Sequence, residues 1–156
     1  KLYKINFIGF RFFTVYGPYG RPDMSIYKFT DKIYNSRKIT INGNGNYQRD
    51  FTFIDDITNV IFKFIKLEKG LHKLSGSRIF NIGNGHKISI NKIIEIIEKQ
   101  LKKKAGIYYS KSIEADMEIT HASFKKLENI IGKSKKTNIE TGIKKFIDWY
   151  LQYKNE

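Results

Sequence analysis

Two rhythms of apolar and polar positions run along this chain, and between them they predict its elements. Phe7 to Val15 is an almost continuous run of aromatic and β-branched residues, which predicts one buried strand. The run breaks at Gly17-Pro18-Tyr19-Gly20, where Pro18 cannot continue a sheet ladder. Asp23 is expected to cap a helix reaching about Asn35, with Ile26, Phe29 and Ile33 on one face. Lys38 to Asn42 alternates as a short strand, ends in the turn-forming Asn42-Gly43-Asn44-Gly45-Asn46, and leads to a brief strand at Phe51 to Ile54. Asp55-Asp56 opens a helix carrying Ile57, Val60, Ile61 and Phe64 and stopping by Gly70. Ile79 to Ile82 reads as a strand, and Ser89 as the cap of a helix with Ile93, Ile94, Ile97 and Leu101 inward. A weak strand at Ile107 to Tyr109 and a short helix from about Ser123 to Ile131 follow. Thr137 and Glu140 form a capping-box pair before a last helix that buries Ile143, Phe146, Ile147 and Tyr150.

Strands interleaved with helices predict an α/β fold. In open α/β sheets ligands bind beyond the carboxyl ends of strands, which singles out Thr14, Tyr16 and Arg21 around the glycine-rich turn. At 156 residues the chain fits one domain. It has no cysteine, which excludes a disulfide framework or thiolate metal site. No apolar run approaches the roughly 18 residues of a membrane span and no signal-peptide pattern opens the chain, so a cytoplasmic protein is the expectation. Leu2-Tyr3 reads as the tail of a helix already under way, which leads us to expect a fragment, a processed product or an artificial boundary. The net charge of +14 would attract polyanions, but lysine is spread throughout and concentrates near predicted helix ends. That pattern favours a solvated surface over a nucleic-acid patch.

Three blocks sharpen the picture: Arg11-Phe-Phe-Thr-Val-Tyr-Gly-Pro-Tyr-Gly-Arg-Pro-Asp-Met24, Arg49-Asp-Phe-Thr-Phe-Ile-Asp-Asp-Ile57 and Phe80-Asn-Ile-Gly-Asn-Gly85. Together they resemble the UDP-glucuronate 4-epimerases, NAD-dependent members of the extended short-chain dehydrogenase/reductase family. The resemblance runs from residue 2 to 153 but covers only the C-terminal half of such an enzyme. It implies the last strands of a Rossmann-type parallel sheet (about residues 1–22 and 79–90) plus a small α/β substrate-binding domain (about 23–78 and 91–156). It also implies a homodimeric enzyme that uses NAD bound mainly by an N-terminal half, and a catalytic Tyr-Lys dyad upstream of Lys1. This chain would then supply UDP-sugar contacts and no catalytic residue, and would be inactive alone.

By the same resemblance, Arg49 grips the UDP-sugar diphosphate, a role for which the planar guanidinium fork is well matched. Arg21 would lie near diphosphate and sugar, and Thr14, replacing the asparagine of several relatives, would reach sugar or phosphate oxygens. Asp116 would bind the uridine ribose hydroxyls, although the segment around it is altered and Ile113 stands where a phosphate-binding Arg or Gln is usual. Asn42 stands where relatives often place an aromatic ring against uracil. Both departures predict weaker or altered nucleotide binding.

Other features are read as bland. Asp55-Asp56 is a helix cap rather than a catalytic pair. Gly83-Asn84-Gly85 lacks the third glycine of a dinucleotide turn, and His72, His86 and His121 have no metal-ligand spacing. Tyr34-x-x-x-Lys38 and Tyr150-x-x-x-Lys154 match the dyad by count alone. The remaining alternatives are another nucleotide-sugar epimerase, dehydratase or decarboxylase, or a basic module that binds polyanions.

Overall fold

The computed structural model describes residues 7–67, 78–111 and 123–155, and the fold is mixed α/β as the pattern predicts. Seven strands are present among these residues: β1 (Gly9–Phe12), β2 (Thr14–Tyr16), β3 (Ile39–Asn42), β4 (Gln48–Phe53), β5 (Ile79–Ile82), β6 (Lys87–Ser89) and β7 (Ile107–Ser110). The helices are α1 (Ser25–Tyr34), α2 (Ile54–Lys66), α3 (Ile90–Leu101), α4 (Lys125–Ile131) and α5 (Ile139–Asn155). β1 pairs with β5 and β3 with β7, both parallel, while β4 lies between parallel β2 and antiparallel β6.

The single strand expected from Phe7 to Val15 is two strands with different partners. Phe13 ends the first pairing by donating its N–H to Ile82 O at 3.0 Å, where β5 itself stops. Thr14 then pairs with Phe51 of β4. The expected burial is not met either: none of residues 7–15 is buried and Phe7, Arg11 and Phe12 are exposed, and an apolar run cannot report which neighbour supplies the ladder. β4 is longer than expected because β6, too short to read from sequence, pairs with its polar start: Gln48 with Ser89, Arg49 with Ile88 and Asp50 with Lys87.

Three expected caps are not caps. Asp23 lies outside α1, whose N-cap Met24 makes no side-chain bond, because Arg21 engages both Asp23 oxygens (3.1 and 2.5 Å). α2 starts at Ile54 straight from β4, and Asp55 and Asp56 sit inside its first turn, where they complement the helix dipole. Asp56 instead accepts bonds from Thr137 N and Oγ1, both at 2.8 Å. With Thr137 so engaged, Asn138 takes over at α5, its Oδ1 accepting from Glu140 N at 2.8 Å. Ser89 does cap α3, accepting from Lys92 N.

The core forms two packed clusters. The larger joins Phe51 and Ile39 to the inner faces of α1, α3 and α5, through Ile26, Ile33, Ile93, Ile97, Phe146 and Tyr150. Apolar residues at helical spacing put one face of each helix inward, as the pattern predicts. The smaller holds Phe80 and Ile82 of β5 against Ile57, Val60 and Phe64 of α2 and Leu127 of α4.

Candidate functional site

A cleft of about 910 Å³ opens where β2 gives way to the glycine-rich turn. Thr14, Arg21 and Arg49 all line it, although they come from a strand, a turn and a second strand. Thr14 reaches the cleft because β2 pairs it with Phe51, two residues from Arg49. Arg49 is half-buried and donates from Nη1 to Gln48 O at 3.0 Å. Arg21 is exposed and held by Asp23, so it carries its charge to the rim rather than to the floor. Gly17 sets the path of the turn: its φ is +146°, and a Cβ there would fall 2.4 Å from Ile54 Cγ2.

Arg11 also lines the cleft, a third guanidinium that the sequence reading quoted but did not single out. The described residues lining this cleft include three arginines and no carboxylate, and Asp23 pairs with Arg21 from outside the lining. Tyr16 forms part of its wall, and its phenol is pushed above the ordinary value of 10.0 by burial first and by the charge of Asp56 second.

Asp50, next to Arg49, points the other way and is fully buried. It accepts from Asn84 N at 2.7 Å, Gly85 N at 2.9 Å and Thr52 Oγ1 at 3.4 Å. Asn84 Nδ2 continues to Thr137 O at 3.2 Å, and Thr137 to Asp56. The second and third motif blocks are therefore fastened to each other and to the start of α5. This network fixes the strand that presents Arg49. It also explains Gly83-Asn84-Gly85, which runs into β6 rather than a helix.

The two Tyr-x-x-x-Lys pairs lie away from the cleft. Tyr150 donates to Asp31 Oδ1 at 2.7 Å inside the core, and Lys154 approaches the same carboxylate at 3.6 Å. Tyr34 stacks edge-on to Tyr150 at 5.7 Å. Asn42 lines a second chamber beside the cleft. Asp116, Ile113, His72 and His121 lie outside the described residues. No group of three metal-ligating side chains occurs among those described. No helix among them is long and apolar enough to cross a membrane.

The model of the NAD dependent epimerase/dehydratase family matches residues 1–83, more than half of the chain. The chain belongs to that family. It is 40% identical over 149 residues to a UDP-glucuronate 4-epimerase of Thermodesulfobacterium geofontis, covering 95% of this chain and 44% of that protein. The fold of this family member superposes on the UDP-glucuronic acid 4-epimerase of Bacillus cereus solved with UDP-glucuronic acid and NAD. There the TM-score is 0.81 and the identity 28%, covering 94% of this chain and 45% of the other. MoeE5, solved in complex with UDP-glucuronic acid and NAD, gives 0.83 at 26% identity, covering 92% and 46%. The chain thus spans about half the length of the curated relatives it matches.

Proposed function

We propose that this chain is the nucleotide-sugar-gripping portion of an NAD-dependent UDP-glucuronate 4-epimerase. The observation that carries the reading is the convergence of Thr14, Arg21 and Arg49 on one carboxylate-free cleft. In this reading Arg49 holds the diphosphate as a bidentate, permanently charged donor. Thr14 and Arg21 contact sugar and phosphate oxygens, and Asp116 the ribose. Holding the diphosphate at a fixed point orients the sugar for a reaction carried out by other groups.

The described residues contain no dinucleotide-binding turn. Of the two Gly-x-Gly turns among them, Gly43-Asn44-Gly45 leads to β4 and Gly83-Asn84-Gly85 to β6, and Asp50 occupies amides of the second. Cofactor binding and the Tyr-Lys dyad are accordingly assigned to an N-terminal half, in cis or in trans, of an enzyme that is homodimeric. Phe7, Phe12 and Ile79 are exposed on and beside the β1–β5 pair, which supports its being covered by further sheet. The proposed division is a Rossmann-sheet part (about 1–22 and 79–90) and a substrate-binding part (about 23–78 and 91–156), with α2 of the second packed on β5 of the first. A cytoplasmic setting is part of this proposal.

The test is amide chemical-shift mapping of the chain with UDP-glucuronate. Saturable shifts at Thr14, Arg21 and Arg49 are expected, and shifts confined to surface lysines would overturn the assignment. Turnover of UDP-glucuronate by the chain alone in the presence of NAD would refute its being inactive in isolation.

A further inference from the structure

The turn Gly17-Pro18-Tyr19-Gly20 is closed by a hydrogen bond from Gly20 N to Gly17 O at 3.1 Å. Its second residue is a proline, and its third, Tyr19, has a φ of +59°. That combination is a type II turn, whose third position favours glycine or asparagine. Glycine would close this turn better than tyrosine does, because a Cβ is disfavoured at positive φ. The Tyr19 side chain is also 86% exposed, so burial in the core does not account for it. A residue held in an unfavourable backbone region at the edge of a site points to work done by its side chain.

The Tyr19 ring rests on Trp149 of α5, at 5.1 Å between centroids. Trp149 is itself wedged among Phe146 at 5.6 Å, Tyr153 at 5.4 Å and Tyr27 of α1 at 6.2 Å. Tyr19 lines the main cleft and Trp149 does not, so this ring pair ties the rim of the cleft to a helix outside it. Two residues further along is Arg21, whose carbonyl accepts from Met24 N at 3.1 Å as the chain turns into α1. The Arg21 guanidinium is engaged by Asp23 in an exposed pair, and such pairs hold a side chain weakly. Where Arg21 stands is therefore set by the backbone of the turn.

We propose that Tyr19 is a positioning residue for the nucleotide-sugar site: braced on Trp149, it fixes the turn against α5 and so fixes where Arg21 meets the sugar end of the ligand. The inference rests on the reading of the cleft as a UDP-sugar site with Arg49 on the diphosphate. It gives the two arginines separate supports, β4 for Arg49 and, through the ring pair, α5 for Arg21.

Tyr19→Gly keeps the turn and removes the brace. In calorimetric titration of the 156-residue chain it should weaken UDP-glucuronate about 3- to 10-fold, the bias that one aromatic pair supplies. UDP should stay within about twofold, because the turn does not carry Arg49. The urea midpoint should stay near the parent's, since relief of the positive φ offsets the lost ring contact. Tyr19→Phe should keep the UDP-glucuronate affinity, and Trp149→Leu should reproduce the loss. Equal losses for both ligands, or an unchanged UDP-glucuronate affinity with a lowered urea midpoint, would overturn the inference while leaving the diphosphate reading intact. A loss in Tyr19→Gly that Trp149→Leu does not share would also overturn it, because the ring would then touch the ligand itself. Should Trp149→Leu fail to fold, the indole N–H resonance of Trp149, the sole tryptophan, decides. It should move when UDP-glucuronate binds the parent chain and stay still in Tyr19→Gly, and the same response in both would refute the brace. If the parent chain binds neither ligand, the proposed function falls and the inference with it.

Discussion

Gly142→Ala gives the sharpest test of how α5 supports the cleft. Gly142 is buried in that helix, and a Cβ added to it would fall 2.0 Å from Tyr16 Oη, 2.8 Å from Cζ and 3.0 Å from Cε2. Tyr16 cannot simply step aside, being in edge contact with Phe51 and Phe53 at 6.4 and 5.5 Å between ring centroids. Overpacking of this kind costs about 1–3 kcal/mol. Alanine returns about 1 kcal/mol of helix propensity. With the hydroxyl oxygen and two ring carbons of Tyr16 in the way, a net loss of about 2 kcal/mol is expected, or about 4–8 °C in Tm for a chain of this size. Tyr16→Phe should go the other way or be neutral, because among the described residues the buried Tyr16 hydroxyl has no hydrogen-bond partner. Removing the nearest atom should also lower the cost of Gly142→Ala, giving a coupling of about 0.5 kcal/mol or more in a double-mutant cycle. Urea unfolding followed by circular dichroism on the four proteins reads all of this. If Gly142→Ala were as stable as the parent, or equally damaging in both backgrounds, the packing of α5 against β2 would be wrong.

Other outcomes follow from the same geometry. Asp50→Asn replaces an acceptor of two buried backbone N–H groups by a group with one acceptor oxygen, and should cost about 1–3 kcal/mol in urea unfolding; a change under about 0.5 kcal/mol would deny the network its role. Ser89→Ala should lose about 1 kcal/mol through the α3 cap, checked by the same assay. The phenols of Tyr16 and Tyr150 are both raised, each by burial first, with Asp56 and the hydrogen bond to Asp31 next respectively. The native state then holds protons that the unfolded chain gives up above about pH 10, so stability should fall as pH rises past that point. Tyr16→Phe should flatten part of that fall above about pH 10, measured by urea midpoints; an unchanged slope would count against the burial of Tyr16.

The helices were legible because helical periodicity reports which face is buried, and Ile26, Ile33, Ile93, Ile97, Phe146 and Tyr150 are all inside. Where the reading failed, a local rule lost to a distant partner. Asp23, Asp56 and Thr137 have the composition of caps, yet Arg21 claims the first and the other two claim each other across 81 positions. β6 escaped notice because three residues, Lys87-Ile88-Ser89, carry too little pattern without their partner β4. The motif blocks located the cleft through Thr14, Arg21 and Arg49.

The central claim is that Arg49 holds the diphosphate, and calorimetric titration of UDP into the parent chain, Arg49→Ala and Arg49→Lys tests it most directly. A charge-assisted phosphate contact is worth roughly 1.5–3 kcal/mol, so Arg49→Ala should weaken UDP about 10- to 150-fold. Arg49→Lys should recover only part of that, since an ammonium keeps the charge but not the fork. UDP binding to Arg49→Ala within about twofold of the parent would contradict the account and return Arg49 to a structural role.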